Sequence, residues 1–228
     1  MLTVIIPNLN QGGALASLLT QLGQEDVSAT VSDIIVSDGG SKDDSLPIAI
    51  GAGARIVSGC CGRGHQLRRG VALVETDWLL FLHVDSQLSP GWHEHVLRHI
   101  NTYPQKAGYF SMKFKANGFQ PRFMEWAVGL RSFYLRLPYG DQGLLISRKL
   151  YDEIGGYQPM PLFEDLDIVR KLGRKRLTYI GCDLKTDASK YERDGFFKRG
   201  WRNIKLARRY YKGEAPEALL KEYNAKRL

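Results

Sequence analysis

WLLFLHVDS, residues 78–86, is an apolar run that ends on a carboxylate and a hydroxyl. Five apolar residues in a row, Trp78 to Leu82, suit a buried strand better than an alternating surface strand, and they are too few for a helix. The expectation is a strand over Trp78–Val84 with Asp85 and Ser86 at its mouth. Upstream, Leu2–Ile6, Ile34–Val36 and Arg55–Val57 read as three further strands, the first a continuous apolar run of the kind covered on both faces. Helical patterns separate them. Leu15, Leu18, Leu19 and Leu22 recur at helical spacing after Gly12-Gly13, a stretch interrupted near Pro47 follows, and Gln66–Val74 is a third helix. Downstream, Ser89-Pro90 reads as N-cap and first helical residue of a helix carrying Val96, Leu97 and Ile100.

Strands alternating with helices predict an α/β domain with a mainly parallel central sheet flanked by helices. The second half changes character. Tyr109–Lys115 alternates as a strand, and Phe119–Leu137 mixes aromatics and arginines in a helix. Gly143–Ser147 returns to the sheet, and a helix runs to Ile154 before Gly155-Gly156. Glu164–Leu172 is another helix and Leu177–Ile180 a last strand. Without repeat or linker, the chain reads as one domain in three stretches, 1–105, 106–193 and a basic, aromatic helical tail, 194–228.

Composition narrows the classes. For 228 residues folding removes roughly 70% of the chain's surface from water, enough for a sizeable core. Hydrophobic residues at 43% and charged residues at 25% exclude a disordered chain. A net charge of +8 favours anionic partners, whether nucleotides, nucleic acid or an acidic membrane surface. Cys60, Cys61 and Cys182 form no disulfide framework and no four-ligand zinc site; they read as small buried hydrophobes in a reducing compartment. The start, MLTVIIPNLN, lacks a basic n-region, and the longest apolar run is too short to cross a bilayer. The expectation is a cytoplasmic chain, soluble or touching a membrane from its surface.

Parallel sheets bind ligands beyond the carboxyl ends of their strands, so Asn8, Asn10, Asp38, Arg63 and Asp85 become candidates. Asp38, before Gly39-Gly40-Ser41, either caps its own turn or accepts from a base N–H or ribose hydroxyl; spacing alone favours the turn. Asp85 either caps a turn or holds a divalent ion between phosphates. Gly62-Arg63-Gly64-His65-Gln66 opens a helix with a glycine, a guanidinium fork and an N-terminus suited to an anion. No Walker A sequence or GxGxxG fingerprint is present. Glu164, Asp165 and Asp167 complement a helix dipole, yet three acids within four positions repel one another and leave one for a proton or a metal. His93, His95 and His99 read as exposed helical histidines without an HExxH pattern. The tail segment FFKRGWRNIKLARRYYKG interleaves aromatics with seven basic residues; packing on the domain is its first reading and a membrane surface its second.

Together VIIPNLNQ, IIVSDGGSKDDS, GRGHQ, LLFLHVDS, LPYGDQGLLISR, IGGY and PLFEDLDIVRKL resemble, in order, the family 2 glycosyltransferases of GT-A fold. The likeness is nearest the bacterial subgroup associated with arsenosugar biosynthesis. It implies inverting transfer of a sugar from a UDP- or GDP-sugar to an acceptor, with Mg²⁺ or Mn²⁺. Residues 1–105 would then be the nucleotide-binding half and 106–193 the acceptor and catalytic half. Pro7, Asn8 and Leu9 would border the nucleotide, Asp38 would meet the base, and Arg63 and Gln66 would lie near the base or diphosphate. Asp85 matches the last acid of the DxD metal motif, Asp165 the catalytic base with Glu164 supporting it, and Asp141 and Gln142 the acceptor side. His83 stands at the first acid of DxD, Gln11 and Ser37 where acids are common, and Arg68 where a small polar residue is expected. A nucleotidyltransferase is the alternative, but the loop Asn8–Gly13 lacks the basic residue it calls for. A non-catalytic nucleic-acid-binding protein is a third reading, and no nucleic acid partner is expected.

Overall fold

Every residue of Leu2–Asn8 (β1) is buried in the computed structural model, which describes residues 1–225. The period of two along a strand divides its side chains between two cores. Leu2, Val4 and Ile6 join Leu80 and Leu82 in one cluster, whereas Ile5 joins Leu79 and Phe81 in the other. Helices close both faces. Gly12–Leu22 (α1) buries Leu15, Leu18, Leu19 and Leu22 in the first cluster. The second is covered by Leu67 and Val71 of Arg63–Val71 (α4) and by Ile168, Val169 and Leu172 of Glu164–Leu172 (α8). The result is the expected α/β domain.

Between those elements lie Glu25–Ser28 (α2), Val31–Asp38 (β2), Ser45–Gly51 (α3), Arg55–Ser58 (β3), Trp78–Phe81 (β4), Gln87–Leu88 (β5), Trp92–Thr102 (α5), Ala107–Phe114 (β6), Phe119–Leu130 (α6), Leu144–Ser147 (β7) and Arg148–Glu153 (α7). Leu177–Thr186 (β8), Ser189–Asp194 (α9), Phe196–Tyr211 (α10) and Pro216–Ala225 (α11) follow. The described strands form one eight-stranded sheet in the order β3-β2-β1-β4-β7-β6-β8-β5. β1, β2, β3 and β4 pair in parallel, as does β6 with β8; β7 is antiparallel to both its neighbours and β5 to β8. In register, Asn8 faces Asp38 and Phe81 faces Leu144, so the ends of β1, β2 and β4 share one rim with the turn that enters β7.

Several local expectations change. Pro47 does not interrupt a helix; it sits in the first turn of α3, where a missing N–H costs nothing. α4 begins three residues earlier than the Gln66 expected, at Arg63. Ser89 does not cap α5: Gly91 holds that position, and the Ser89 hydroxyl donates to the Asp183 carbonyl at 3.0 Å. β4 leaves its ladder after Phe81, freeing His83 and Asp85 from the sheet. The aromatic helix stops at Leu130 and continues as a π turn, Arg131–Leu135. β8 outruns its expected end at Ile180 because a register shift opposite Phe110 lets pairing resume from Ser111–Asp183. Cys60 and Cys61 are exposed and only Cys182 is buried. His93 and His95 are half-buried, and His99 is buried with its Nε2 3.0 Å from the Lys106 carbonyl. The tail is helical over Phe196–Tyr211 and Pro216–Ala225; its last three positions lie outside the described residues.

Candidate functional site

Where β1 and β2 end, a short polar loop is tied to itself. The Asp38 carboxylate accepts from Asn8 Nδ2 (3.3 Å) and Ser41 Oγ (2.5 Å) on one oxygen and from the Gly40 and Ser41 N–H groups (both 2.8 Å) on the other. That fills its acceptor sites. Burial pushes its pKa up, but these hydrogen bonds outweigh burial and hold it below the ordinary value. Gln66, one turn into α4, donates to the carbonyls of Asn8 (2.7 Å) and Ser37 (2.9 Å), and Arg69 donates to the Asp38 carbonyl (2.8 Å). Asp38 and Gln66 therefore shape the loop from within. Pro7 is buried with them, Asn8 keeps an unpaired Oδ1, and Leu9 projects from the rim.

The second group faces it from the other half of the chain. α4 crosses the segment before α8 so closely that a Cβ on Gly64 would lie 2.3 Å from the Gln158 carbonyl oxygen. That approach, open only to glycine, seats Arg63 beside the start of α8, with Nη1 3.6 Å from Glu164 Oε1. Phe163, a non-glycine residue at φ +68°, turns the chain into the helix. Asp165 then points at the turn Gly140–Gln142: its Oδ2 accepts from the Gly140 N–H and its Oδ1 from the Leu166 N–H, both at 2.8 Å. A Cβ on Gly140 would sit 2.8 Å from His83 Nε2 and 3.2 Å from Asp165 Oδ2, so the β4 end, the turn and α8 converge on that glycine. A cleft opens there, lined by His83, Tyr139, Gly140, Tyr157, Glu164 and Asp165 over a floor of Leu67 and Phe81.

Its electrostatics differ from those of the loop. Burial raises the Glu164 pKa to about 7 despite Arg63, with Asp165 adding to the rise, and Glu164 Oε1 has no hydrogen-bond partner. Asp141 is likewise pushed up by burial, against the pull of Arg131, and its Oδ1 is unpaired. Burial, reinforced by Arg63 and Lys190, drives His83 well below its ordinary value, which makes it a neutral imidazole. Gln142 is buried in the turn. Its amide accepts from Ser132 Oγ (2.7 Å) and donates to the Phe110 carbonyl (2.9 Å), bracing the turn that carries Gly140. Asp167 leaves the group and pairs with Lys171 at 2.8 Å. The Asp85 carboxylate has no hydrogen-bond or ion-pair partner among the described residues; Lys115 reaches only its main-chain carbonyl. No cluster of three or more metal-ligating His, Cys, Asp or Glu side chains occurs among the described residues. Sequence reasoning missed Tyr157, which packs edge-on to Phe81 at 4.9 Å, and Tyr139, covered at 3.8 Å by the Arg131 guanidinium. The glycine pair before Tyr157 and the aromatic before Gly140 were the available signals.

The model of Glycosyl transferase family 2 matches residues 3–161. No curated protein matches the chain. Glucosyl-3-phosphoglycerate synthase from Mycobacterium tuberculosis, in complex with Mn²⁺, UDP-glucose and glycerol 3-phosphate, superimposes with a TM-score of 0.58 at 21% identity, over 82% of this chain and 70% of that one. The same enzyme with Mg²⁺ and UDP gives 0.56 at 20% identity, over 82% and 69%. TarS 1–349 from S. aureus gives 0.64 at 16% identity, over 82% of this chain and 60% of that one. At such identities the likeness is one of fold.

Proposed function

The chain belongs to glycosyl transferase family 2, and from that premise we infer that it moves a sugar, with inversion, from a UDP- or GDP-sugar to an acceptor hydroxyl. The motifs that place it near the arsenosugar-associated subgroup are part of the same proposal. The observation that carries it is the Asp165 carboxylate, fixed by two backbone N–H groups at the mouth of a cleft that also holds Glu164 and His83. A base so fixed takes the acceptor proton from one side while the diphosphate leaves from the other, which inverts the anomeric centre. Glu164 and Asp141, each with an unpaired oxygen, supply acceptors for sugar or acceptor hydroxyls. Arg63, about half exposed beside Glu164, offers its fork to the diphosphate. Neutral His83 adds no second negative charge where the diphosphate would lie.

The loop at Pro7, Asn8 and Leu9 borders the nucleotide in this reading; Asp38 and Gln66 act on the base through the loop they hold. Asp85 fits a divalent ion, Mg²⁺ or Mn²⁺, because its carboxylate is unpartnered and one carboxylate with substrate phosphates and water is an ordinary magnesium set. Bound there, such an ion would supply positive charge to the leaving diphosphate. Contact of the basic tail with a membrane surface is a separate proposal that does not bear on the transfer step.

Asp165→Asn should lower nucleotide release from donor sugars by roughly 10²- to 10⁴-fold, the range of a general base. The thermal-shift response to UDP or GDP with Mn²⁺ should persist, since binding raises the midpoint by mass action. Turnover equal to wild type removes Asp165 from the role.

A further inference from the structure

On α6, Phe119, Phe123, Trp126 and Leu130 follow one another at intervals of four, three and four, which puts them on one helix face, and all four are exposed, Phe119 by 76% and Trp126 by 59%. The π turn extends the stripe with exposed Phe133 and Tyr134. On α10, Phe197, Trp201 and Ile204 are spaced in the same way and are also exposed. The two stripes are one surface. Phe123 and Phe197 meet edge to face at 5.7 Å, and the α6 residue Met124 fits against Gly200 of α10, where a Cβ would lie 2.7 Å from its methyl. Exposed apolar side chains gathered in this way mark an interaction surface, unlike single ones scattered over a fold.

Charge identifies what covers it. Residues 119–136 contain one acid, Glu125, and it is buried, accepting from Arg122 and from the Phe114 N–H; α10 contains none. Lys198, Lys205 and Arg208 are exposed on α10 and make no ion pair among the described residues. Lys205 and Arg208 lie four residues beyond Trp201 and Ile204, beside the apolar stripe. A second copy of the same face would bring like charges together. No described helix is long and apolar enough to cross a membrane.

We propose that the α6–α10 face docks on an anionic lipid bilayer. Its aromatics enter the boundary between headgroups and acyl chains, and Lys198, Lys205 and Arg208 meet lipid phosphates, the arrangement of an interfacial amphipathic surface. α10 also carries Leu206 and Ala207 into the cluster with Phe163 and Leu166, on which Tyr139 packs, so docking fixes the cleft relative to the lipid surface. The docking proposal extends the tail contact to α6 and is independent of the transfer chemistry; its failure leaves the Asp165 reading untouched.

Sedimentation of the full chain with phosphatidylcholine vesicles, with and without phosphatidylglycerol, tests it. The chain should partition onto the anionic vesicles and leave them as salt rises. The triple variant Lys198→Ala/Lys205→Ala/Arg208→Ala should bind them roughly a hundredfold more weakly at low salt. Acyl chains carrying bromine should quench tryptophan emission in the wild type. The double variant Trp126→Phe/Trp201→Phe should still bind but lose the quenching, because Trp78 and Trp92 are buried. Absence of partitioning, quenching that survives the double substitution, or retention of single-stranded RNA or self-association in place of vesicle binding overturns the proposal.

Discussion

Asp38 and Glu164 are almost equally buried, at 1% and 2% exposure, yet their carboxyl groups are driven in opposite directions. Around Asp38, four donor groups converge and keep the carboxylate charged below its ordinary range against the effect of burial. Around Glu164, burial wins and the pKa rises to about 7 despite the Arg63 guanidinium at 3.6 Å, with Asp165 adding to the rise. Buried polar groups are normally satisfied within the fold. The Asp38 carboxylate meets that rule on its own, although Asn8 Oδ1 and Ser37 Oγ beside it do not, whereas Glu164 Oε1 in the cleft and Asp141 Oδ1 find no hydrogen-bond partner. The Asp38 carboxylate is satisfied as folded; Glu164 is not.

The sharpest way to break this contrast is Asp38→Ala. It takes the acceptor from the Gly40 and Ser41 donors and leaves Asn8 Nδ2 with only Ser41 Oγ, and should cost roughly 3 kcal/mol, read as a lower urea midpoint at unchanged slope. Because the folded pKa is depressed, that contribution is present above the unfolded value, near 3.8, and is lost as pH falls through the folded one. The gap between variant and wild type should therefore narrow in acid. A loss well below 1 kcal/mol at neutral pH would mean that the carboxylate does not hold the loop. Next in size is Gln142→Leu, which strips partners from the Ser132 hydroxyl and the Phe110 carbonyl and should cost about 2 kcal/mol. If it changes acceptor KM and leaves thermal stability alone, Gln142 is an acceptor contact after all and the brace is wrong.

The fold was legible wherever one force acted along one element. Leu2–Ile6 and Trp78–Leu82 announce buried strands because apolar side chains dominate between two covering layers, with Thr3 admitted by its hydroxyl contact to Thr76. Ends were harder to read, since they depend on partners distant in sequence. β8 runs past Ile180 only because β6 offers a ladder beyond the register shift, and the two-residue β5 exists only as a partner of β8. The same limit applies to the site. Strand-end position brought Asp38 and Asp85 forward and the acids crowded at a helix start brought Asp165, but neither signal could separate a carboxylate consumed by its own turn from one left facing a cleft. The resemblance put Gln142 on the acceptor side, and its bracing partners, Ser132 and Phe110, lie 10 and 32 residues away, where no sequence pattern joins them. Cys60 and Cys61 were misjudged because a small apolar side chain in a glycine-flanked loop has no helix or strand face to bury it.

The smallest effect sharpens the contrast from the Glu164 side. An acid whose folded pKa lies above its unfolded value binds the proton more tightly when folded, so it weakens the native state as pH rises from about 4.5 to about 7. Above that window the charged form is buried at full cost; below it both states are protonated and the cost vanishes. Glu164→Gln removes the ionisation but also takes the partner of Arg63, an exchange worth at most about 1 kcal/mol for so exposed a guanidinium. The variant should therefore match or fall slightly below wild type at pH 4 and exceed it by about 1–2 kcal/mol at pH 8, a net figure smaller than the full pKa difference implies. Thermal unfolding at the two pH values reads it directly. A pH-independent difference would mean that Glu164 is satisfied within the fold as Asp38 is, and the two regions would no longer differ in kind.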